Sequence, residues 1–430
     1  MKGGSAMDRL QVSGNCRYLL RDGKPFFWLG DTCWSAFTNI PDEDWLVYLQ
    51  ERAALGFNVL QINALPQWDR CGSELNRYPF PEKGDGRFDF GRILPEYFEH
   101  AHWMCQKAQE QGFTLMLVLM WCNYVPDTWA SHICADNVMP EDRVEPVIQK
   151  ICETFQEFHP VYAISGDTGF ESEQTRKRYR LVADLADKYA PQELKAYHIR
   201  GRYDGLPQEF AERADIYLYQ SGHNAGAQDM SHKLAGIFAG RTPRRPVINS
   251  EPCYEQMGYS HHTYGRFHRE EIRSALWNSL LAGASAGITY GAHGIWNWYR
   301  PGMPVNPIGG EGFLRAMPAD KALRFPGAAD YAYAARLFRE REITQMVPCQ
   351  EILRDYREHI RAARTEKEIF LYVPVTVPLV LNGDYSGYQA TAVDLDTYAC
   401  SRLKMQCKDA SAQVPMHSFY KDALLILEKV

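Results

Sequence analysis

Positive charge is in short supply. The 430 residues carry 47 Lys and Arg against 53 Asp and Glu, a formal charge of -6. A nucleic-acid partner needs a basic footprint, and none is present. No apolar run is long enough to cross a bilayer, so no membrane partner is expected. The first ten residues have no apolar core of the kind a signal peptide needs. Eleven cysteines occur without any C-x-x-C pair, and Cys105, Cys122 and Cys152 sit inside apolar runs. That usage fits buried thiols in a reducing compartment rather than disulfides or a zinc site, so a cytoplasmic location is expected. No G-x-G-x-x-G or phosphate loop follows the first apolar run, and repeats and low-complexity tracts are lacking. The pair His261-His262 resembles a metal signal, but adjacent residues rarely share one tetrahedral site. No metal and no cofactor are expected.

What is there is a large apolar and aromatic content. Hydrophobic residues make up 45% and aromatics 13%, with 10 Trp and 25 Tyr. Aromatic faces fill cores, and they also stack on flat apolar ligand surfaces. The length suits one large α/β domain and a smaller one.

Apolar runs alternate with helical patterns along most of the chain. A hairpin is expected over Leu10–Val12 and Arg17–Leu20, ahead of the turn Asp22-Gly23-Lys24-Pro25. Strands are expected at Phe26–Leu29, Phe57–Ile62, Thr114–Met120, Val161–Ser165, Leu194–Ile199, Ile216–Tyr219, Val247–Asn249 and Gly287–Tyr290. Helices are expected at Asp42–Leu55, Tyr97–Gln111, Val144–Phe158, Glu173–Tyr189, Pro207–Arg213, Ala227–Ala239, Gly265–Ala284 and Ala328–Glu340. Eight apolar strands, each followed by a helix, predict a parallel (β/α)₈ TIM barrel, with a doubly wound open sheet as the alternative. After Val347 the pattern changes to short strand-like runs: Ile360–Arg364, Glu368–Val373, Leu379–Leu381, Gln389–Leu395 and Ala423–Glu428. Turn signals separate them, which predicts a small antiparallel β-sandwich. The expected domains are 1–346, the barrel with its N-terminal hairpin, and 347–430, the sandwich.

Barrel sites are built at the carboxyl ends of the strands. The polar residues expected there are Asp31, Asn63, Trp121, Asp167, Gln220 with His223, Glu251, and His293 with Trp296. Glu251 ends the buried run Val247-Ile248-Asn249 just before Pro252. A carboxylate in that place needs a partner or a function. Asp167 after strand four and Glu251 after strand seven would face each other across the mouth. Glycoside hydrolysis uses such a pair, one group as proton donor and the other as nucleophile or base. The structural alternatives are a buried ion pair between Glu251 and an arginine, and plain turn chemistry for Gly166-Asp167-Thr168-Gly169. Asp31 suits a hydrogen-bonding role better than a catalytic one. His223 is placed to bond a carboxylate or a hydroxyl. Trp121, Trp296 and Trp298 could stack on a sugar, and Glu171 is a fallback proton donor.

The segment Asp22-Gly23-Lys24-Pro25-Phe26-Phe27-Trp28-Leu29-Gly30-Asp31-Thr32-Cys33-Trp34 resembles the opening of the apiosidase-like glycoside hydrolases (the DUF4038 group, glycoside hydrolase family 140). Arg52 to Gln61 is similar to that family's first helix and second strand, and Pro95 to His100 to its entry into the second helix. Gly166-Asp167 and Glu251-Pro252-Cys253-Tyr254-Glu255 resemble its two acidic motifs. The resemblance implies a barrel hydrolase with a C-terminal β-sandwich, acting on β-linked apiose in pectin. By positional analogy it makes Asp167 the acid/base and Glu251 the nucleophile of a retaining reaction. Tyr254 joins the substrate-binding set with Asp31, Asn63, Trp121, Gln220, His223, His293 and Trp296. Two departures stand out. The fourth strand lacks the family's tryptophan and second glycine, and Ala399–Lys408 lacks the family's W-x-x-P-x-x-G type segment.

The expected partner is a small carbohydrate, an oligosaccharide or plant glycoside carrying a terminal furanose or pentose. A homo-oligomer is possible on this sequence. Two other classes compete with the glycosidase. One is a non-catalytic carbohydrate-binding barrel and the other is a metal-dependent barrel hydrolase.

Overall fold

The chain's alternation of apolar strand and amphipathic helix closes on itself. In the computed structural model, which describes residues 9–67, 74–84, 87–260, 263–303 and 314–430, eight parallel strands form a closed barrel. They are β1 (Trp28–Thr32), β2 (Val59–Asn63), β3 (Thr114–Val118), β4 (Val161–Ala163), β5 (Lys195–His198), β6 (Ile216–Tyr219), β7 (Val247–Asn249) and β8 (Gly287–Tyr290). Every residue of these strands is buried, as expected for strands with packing on both faces. Pairing of β8 with β1, Gly287 opposite Trp28 through Tyr290 opposite Asp31, completes the ring.

Eight longer helices follow the strands: α1 (Asp42–Ala54), α2 (Pro95–Glu110), α3 (Glu141–Phe155), α4 (Glu173–Tyr189), α5 (Gln208–Arg213), α6 (Met230–Ala239), α7 (Arg269–Leu281) and α8 (Gly327–Glu340). Their ends follow local chemistry. Pro95 opens α2 at its first turn, where the missing N–H costs nothing. Ser172 caps α4 by accepting from the N–H of Thr175. His268 and Glu271 form a reciprocal cap on α7. That cap starts the helix at Arg269, four residues later than the expected Gly265.

The first barrel strand is also displaced from expectation. Lys24–Phe26 belongs to a three-stranded antiparallel sheet with Gln11–Val12 and Leu19–Arg21. The barrel strand therefore begins at Trp28 and carries Asp31 inside it rather than beyond its end. The pair His261-His262 lies outside the described residues. Among the described residues no helix is long and apolar enough to cross a membrane.

After the barrel, β9 (Val347–Pro348), β10 (Arg361–Arg364), β11 (Glu368–Val373), β12 (Leu379–Asn382), β13 (Tyr388–Asp394), β14 (Cys400–Leu403), β15 (Gln406–Lys408), β16 (Ser411–Val414) and β17 (Ala423–Lys429) form two antiparallel sheets. The larger has the order β9-β10-β11-β17-β13-β14 and the smaller β12-β16-β15. Strands β14 to β16 escape a sequence reading because they are short, mostly exposed and poor in apolar residues. The larger sheet is apolar on both faces. Phe370, Tyr372, Leu424 and Ile426 join the barrel's core, while Ile369, Leu371, Val373, Leu425 and Leu427 pack inside the sandwich. The alternation follows the two-residue period of a strand.

Candidate active site

Glu251 stands two residues beyond the end of β7 and is 5% exposed. Its partners come from the two preceding strands. His223, four residues past β6, lies with Nε2 3.0 Å from Oε1 of Glu251. His198, the last residue of β5, is fully buried, with Nε2 3.0 Å from Oε2. The second contact is close but poorly aligned, so Oε2 has no well-directed hydrogen bond among the described residues. Burial alone would raise the pKa of Glu251, but the two imidazoles outweigh it and hold the carboxyl down at about 2. The buried group is thus an anion clamped by histidines, not the arginine ion pair that stood as the structural alternative.

Around this carboxylate the walls are aromatic. The ring of Trp121 stacks on His198 at 5.7 Å, and Trp34 meets His198 edge-on at 5.3 Å. Tyr254 lies 4.3 Å from His223, ring centre to ring centre, and accepts from the indole N–H of Trp34 at 3.0 Å. Burial and the neighbouring Glu251 carboxylate push the Tyr254 phenol well above its ordinary range. Two glycines make room. A Cβ on Gly166 would lie 2.2 Å from the Trp121 ring, and one on Gly291 would lie 2.0 Å from Tyr254. The glycine of Gly166-Asp167 therefore serves the tryptophan from the neighbouring strand.

Asp167 follows β4 in the left-handed conformation, with φ 48°. Its main-chain N–H donates to Nδ1 of His198 at 3.2 Å, and its carbonyl accepts from Trp129 at 2.7 Å. A ring nitrogen that accepts a hydrogen bond carries no proton, so the proton of His198 sits on Nε2, toward Glu251. That tautomer denies Nε2 a lone pair for a metal, although two histidines and a carboxylate meet here. No group of three or more His, Cys, Asp or Glu side chains among the described residues is arranged to hold a metal ion.

The other expected residues divide. Asn63, Trp121, Gln220 and Trp296 are buried at the carboxyl ends of β2, β3, β6 and β8, and each has a polar side-chain atom without a hydrogen-bond partner among the described residues. Gln67 and Asn123, on the loops after β2 and β3, share that property. His293 is buried beside Trp296 and is pushed down to about 3 by that burial. Asp31 does not join them. It is fully buried against α1, where Arg52 Nε reaches it at 2.5 Å and the Tyr48 hydroxyl at 2.9 Å. It fixes a helix to a strand. Glu171 closes its own turn, accepting from Thr168 Oγ1 at 3.1 Å and from the N–H of Gly169 at 3.0 Å. Both oxygens are engaged within that turn. Trp298 donates to Asp44 at 3.1 Å and packs edge-on to Tyr48.

His198 and Trp34 were not among the expected site residues. The sequence marks His198 only as a polar residue in a buried run, and the structure gives its facing. In β5, Tyr197 packs outward on Phe210 of α5, so Ala196 and His198 face inward by alternation. Strand five is also the one strand without an expected polar residue at its end.

The architecture is shared with known enzymes. A glycoside hydrolase family 5 protein from Bacteroides vulgatus ATCC 8482 superposes with a TM-score of 0.81 at 21% identity, over 98% of this chain and 93% of that one. A second solved structure, described as a glycoside hydrolase, gives 0.79 at 21% identity over 98% and 97%. A family 5 mannosidase from Rhizomucor miehei gives 0.53 at 13% identity over 79% and 100%. At these identities the likeness is one of fold. No curated protein matches the chain. The model of the apiosidase-like catalytic domain matches residues 13–345. That match spans most of the chain, and the protein belongs to the apiosidase-like family of glycoside-hydrolase-type barrels.

Proposed function

We propose that this protein is a retaining glycosidase that removes a terminal furanose or pentose, apiose among them, from an oligosaccharide or plant glycoside. The observation that carries the reading is Glu251, a buried anion at the barrel mouth with Oε1 hydrogen-bonded by His223 and Oε2 3.0 Å from His198 Nε2 in a poorly aligned contact. In the first step Oε2 of Glu251 bonds to the anomeric carbon. The glycosidic C–O bond breaks, and Asp167 gives its proton to the departing oxygen. In the second step water attacks the same carbon, Asp167 takes the proton, and Glu251 leaves as the carboxylate. The proton-donor role for Asp167 rests on its place after β4. The unpartnered polar atoms of Asn63, Gln67, Trp121, Asn123, Gln220 and Trp296 favour a polyhydroxylated ligand, because a buried donor or acceptor left unpaired is costly.

The test is turnover of a panel of nitrophenyl pentosides and hexosides, apiosides included, with the anomer of the released sugar read by NMR. The expected outcome is release with net retention from at least one furanoside or pentoside. Glu251→Gln should lower kcat by about 1000-fold or more with the fold intact. Unchanged turnover in that variant would remove Glu251 from the chemistry. Net inversion would recast Glu251 as a base. Tight sugar binding without turnover would make the protein a carbohydrate-binding barrel.

A further inference from the structure

The strand ends that bear the chemistry meet at one imidazole. His198 has no exposed surface and forms a three-ring cluster with Trp34 and Trp121, which also touch each other at 5.4 Å. Its Nδ1 receives the main-chain N–H of Asp167, and its Nε2 stands against Oε2 of Glu251. The Asp167 backbone is itself constrained. It adopts a left-handed conformation, its carbonyl is held by the Trp129 indole, and Gly166 before it lies flat on Trp121. A left-handed non-glycine residue is sparsely populated and persists where its surroundings impose it.

We infer that His198 is a positioning residue that ties the strand-four turn to Glu251. Through it, the backbone of Asp167 fixes the tautomer and aim of the N–H that faces the Glu251 carboxylate. The two acidic residues are then aligned as one unit. The Asp167 side chain can change without disturbing His198, because the link uses the amide. His198 cannot be replaced by a residue lacking a donor at Nε2 without loosening Glu251. The catalytic consequence rests on the glycosidase reading above, whereas the imidazole geometry does not.

Two variants separate positioning from packing. His198→Phe keeps a ring against Trp34 and Trp121 and deletes both nitrogens. His198→Gln returns a donor at the reach of Nε2. Nitrogen-15 NMR of labelled histidine should show His198 with its proton on Nε2, assigned by its loss in His198→Phe. The Glu251 carboxyl, followed by carbon-13 NMR, should titrate at higher pH in His198→Phe and return part of the way in His198→Gln. The other titratable groups at that carboxylate, His223 and Tyr254, are present in every variant. With a turned-over glycoside, His198→Phe should lose kcat by about 10 to 100-fold with KM changed by less than about threefold. The acid limb of its kcat/KM profile should move upward.

A proton found on Nδ1 of His198 would overturn the inference. So would a Glu251 titration unmoved in a folded His198→Phe protein. If the wild-type protein turns over no glycoside, the two NMR measurements still decide it. If His198→Phe does not fold, the wild-type tautomer and the His198→Gln titration decide it.

Discussion

Glu251 and Glu255 lie four residues apart on one loop, and their neighbours drive them in opposite directions. Glu251 is held ionised by two imidazoles, at about 2. Glu255 is pushed up to about 7 by burial, against the Tyr290 hydroxyl at 2.6 Å and the Gly327 N–H at 2.9 Å, which favour its charge. Glu255 also joins its backbone to the end of β8, through Gly291 and His293. It anchors the loop that carries Glu251 and Tyr254 and caps the start of α8. The linkage has opposite signs for the two groups. The contribution of Glu251 is present above its unfolded pKa and is lost as pH falls toward 2. That of Glu255 is greatest below its unfolded pKa and declines as pH rises from about 4.5 to about 7, by on the order of 3 kcal/mol. Urea unfolding at several pH values should therefore show Glu255→Gln losing less stability than the wild type over that interval. A parallel pH dependence in both proteins would mean that Glu255 is not the group responsible.

At the scale of elements, the pairing of α1 with β1 is the least expected feature. Gly30-Asp31-Thr32 reads as a strand end, and polar residues there point to a site. The strand runs three residues past Leu29, to Thr32, and Asp31 turns toward Arg52 on α1. Burial opposes the charge on Arg52, but Asp31 outweighs it and raises the guanidinium pKa. Arg52→Met should leave a buried, unpaired carboxylate and cost about 3–5 kcal/mol in urea unfolding. Asp31→Asn added to that variant should recover part of the loss, because a neutral amide is cheaper to bury. Loss of binding without loss of stability in Arg52→Met would instead place Asp31 in the site. The strands themselves were legible because buried parallel strands are continuous apolar runs. Their ends were less so, since hydrogen bonding to a neighbour decides where a strand stops. His198 illustrates the same limit: its strand was visible, but its role depends on which side of the barrel wall it faces.

At the scale of the whole molecule, the larger C-terminal sheet is built into the barrel's flank. Arg273 on α7 is fully buried and pairs with Asp422 beside β17, Nε to Oδ2 at 2.8 Å. Its neighbour Arg269 binds Asp330 on α8 through two contacts of 2.8 Å and Asp396, after β13, at 2.7 Å. These pairs lie beside the apolar contact made by Phe370, Tyr372, Leu424 and Ile426. Heating the intact protein should give one cooperative calorimetric transition. Arg273→Met strands Asp422 in that buried contact, which should cost about 3–5 kcal/mol and split the transition in two. Two transitions already present in the wild type would mean that the sheet and barrel unfold independently.

The sequence by itself determined the barrel, because the period of apolar residues sets strand and helix locally and eight repeats of that unit have few ways to close. It also marked Glu251, since a carboxylate ending a buried strand is costly without a partner. Only the tertiary structure decided what that partner was. Imidazoles from β5 and β6, the indole of Trp34 and the amide of Asp167 are far apart along the chain, and their convergence depends on strand order, inward facing and the shape of one turn. The same dependence moved Asp31 out of the site, because its charge found Arg52 across a helix–strand contact that no local pattern encodes.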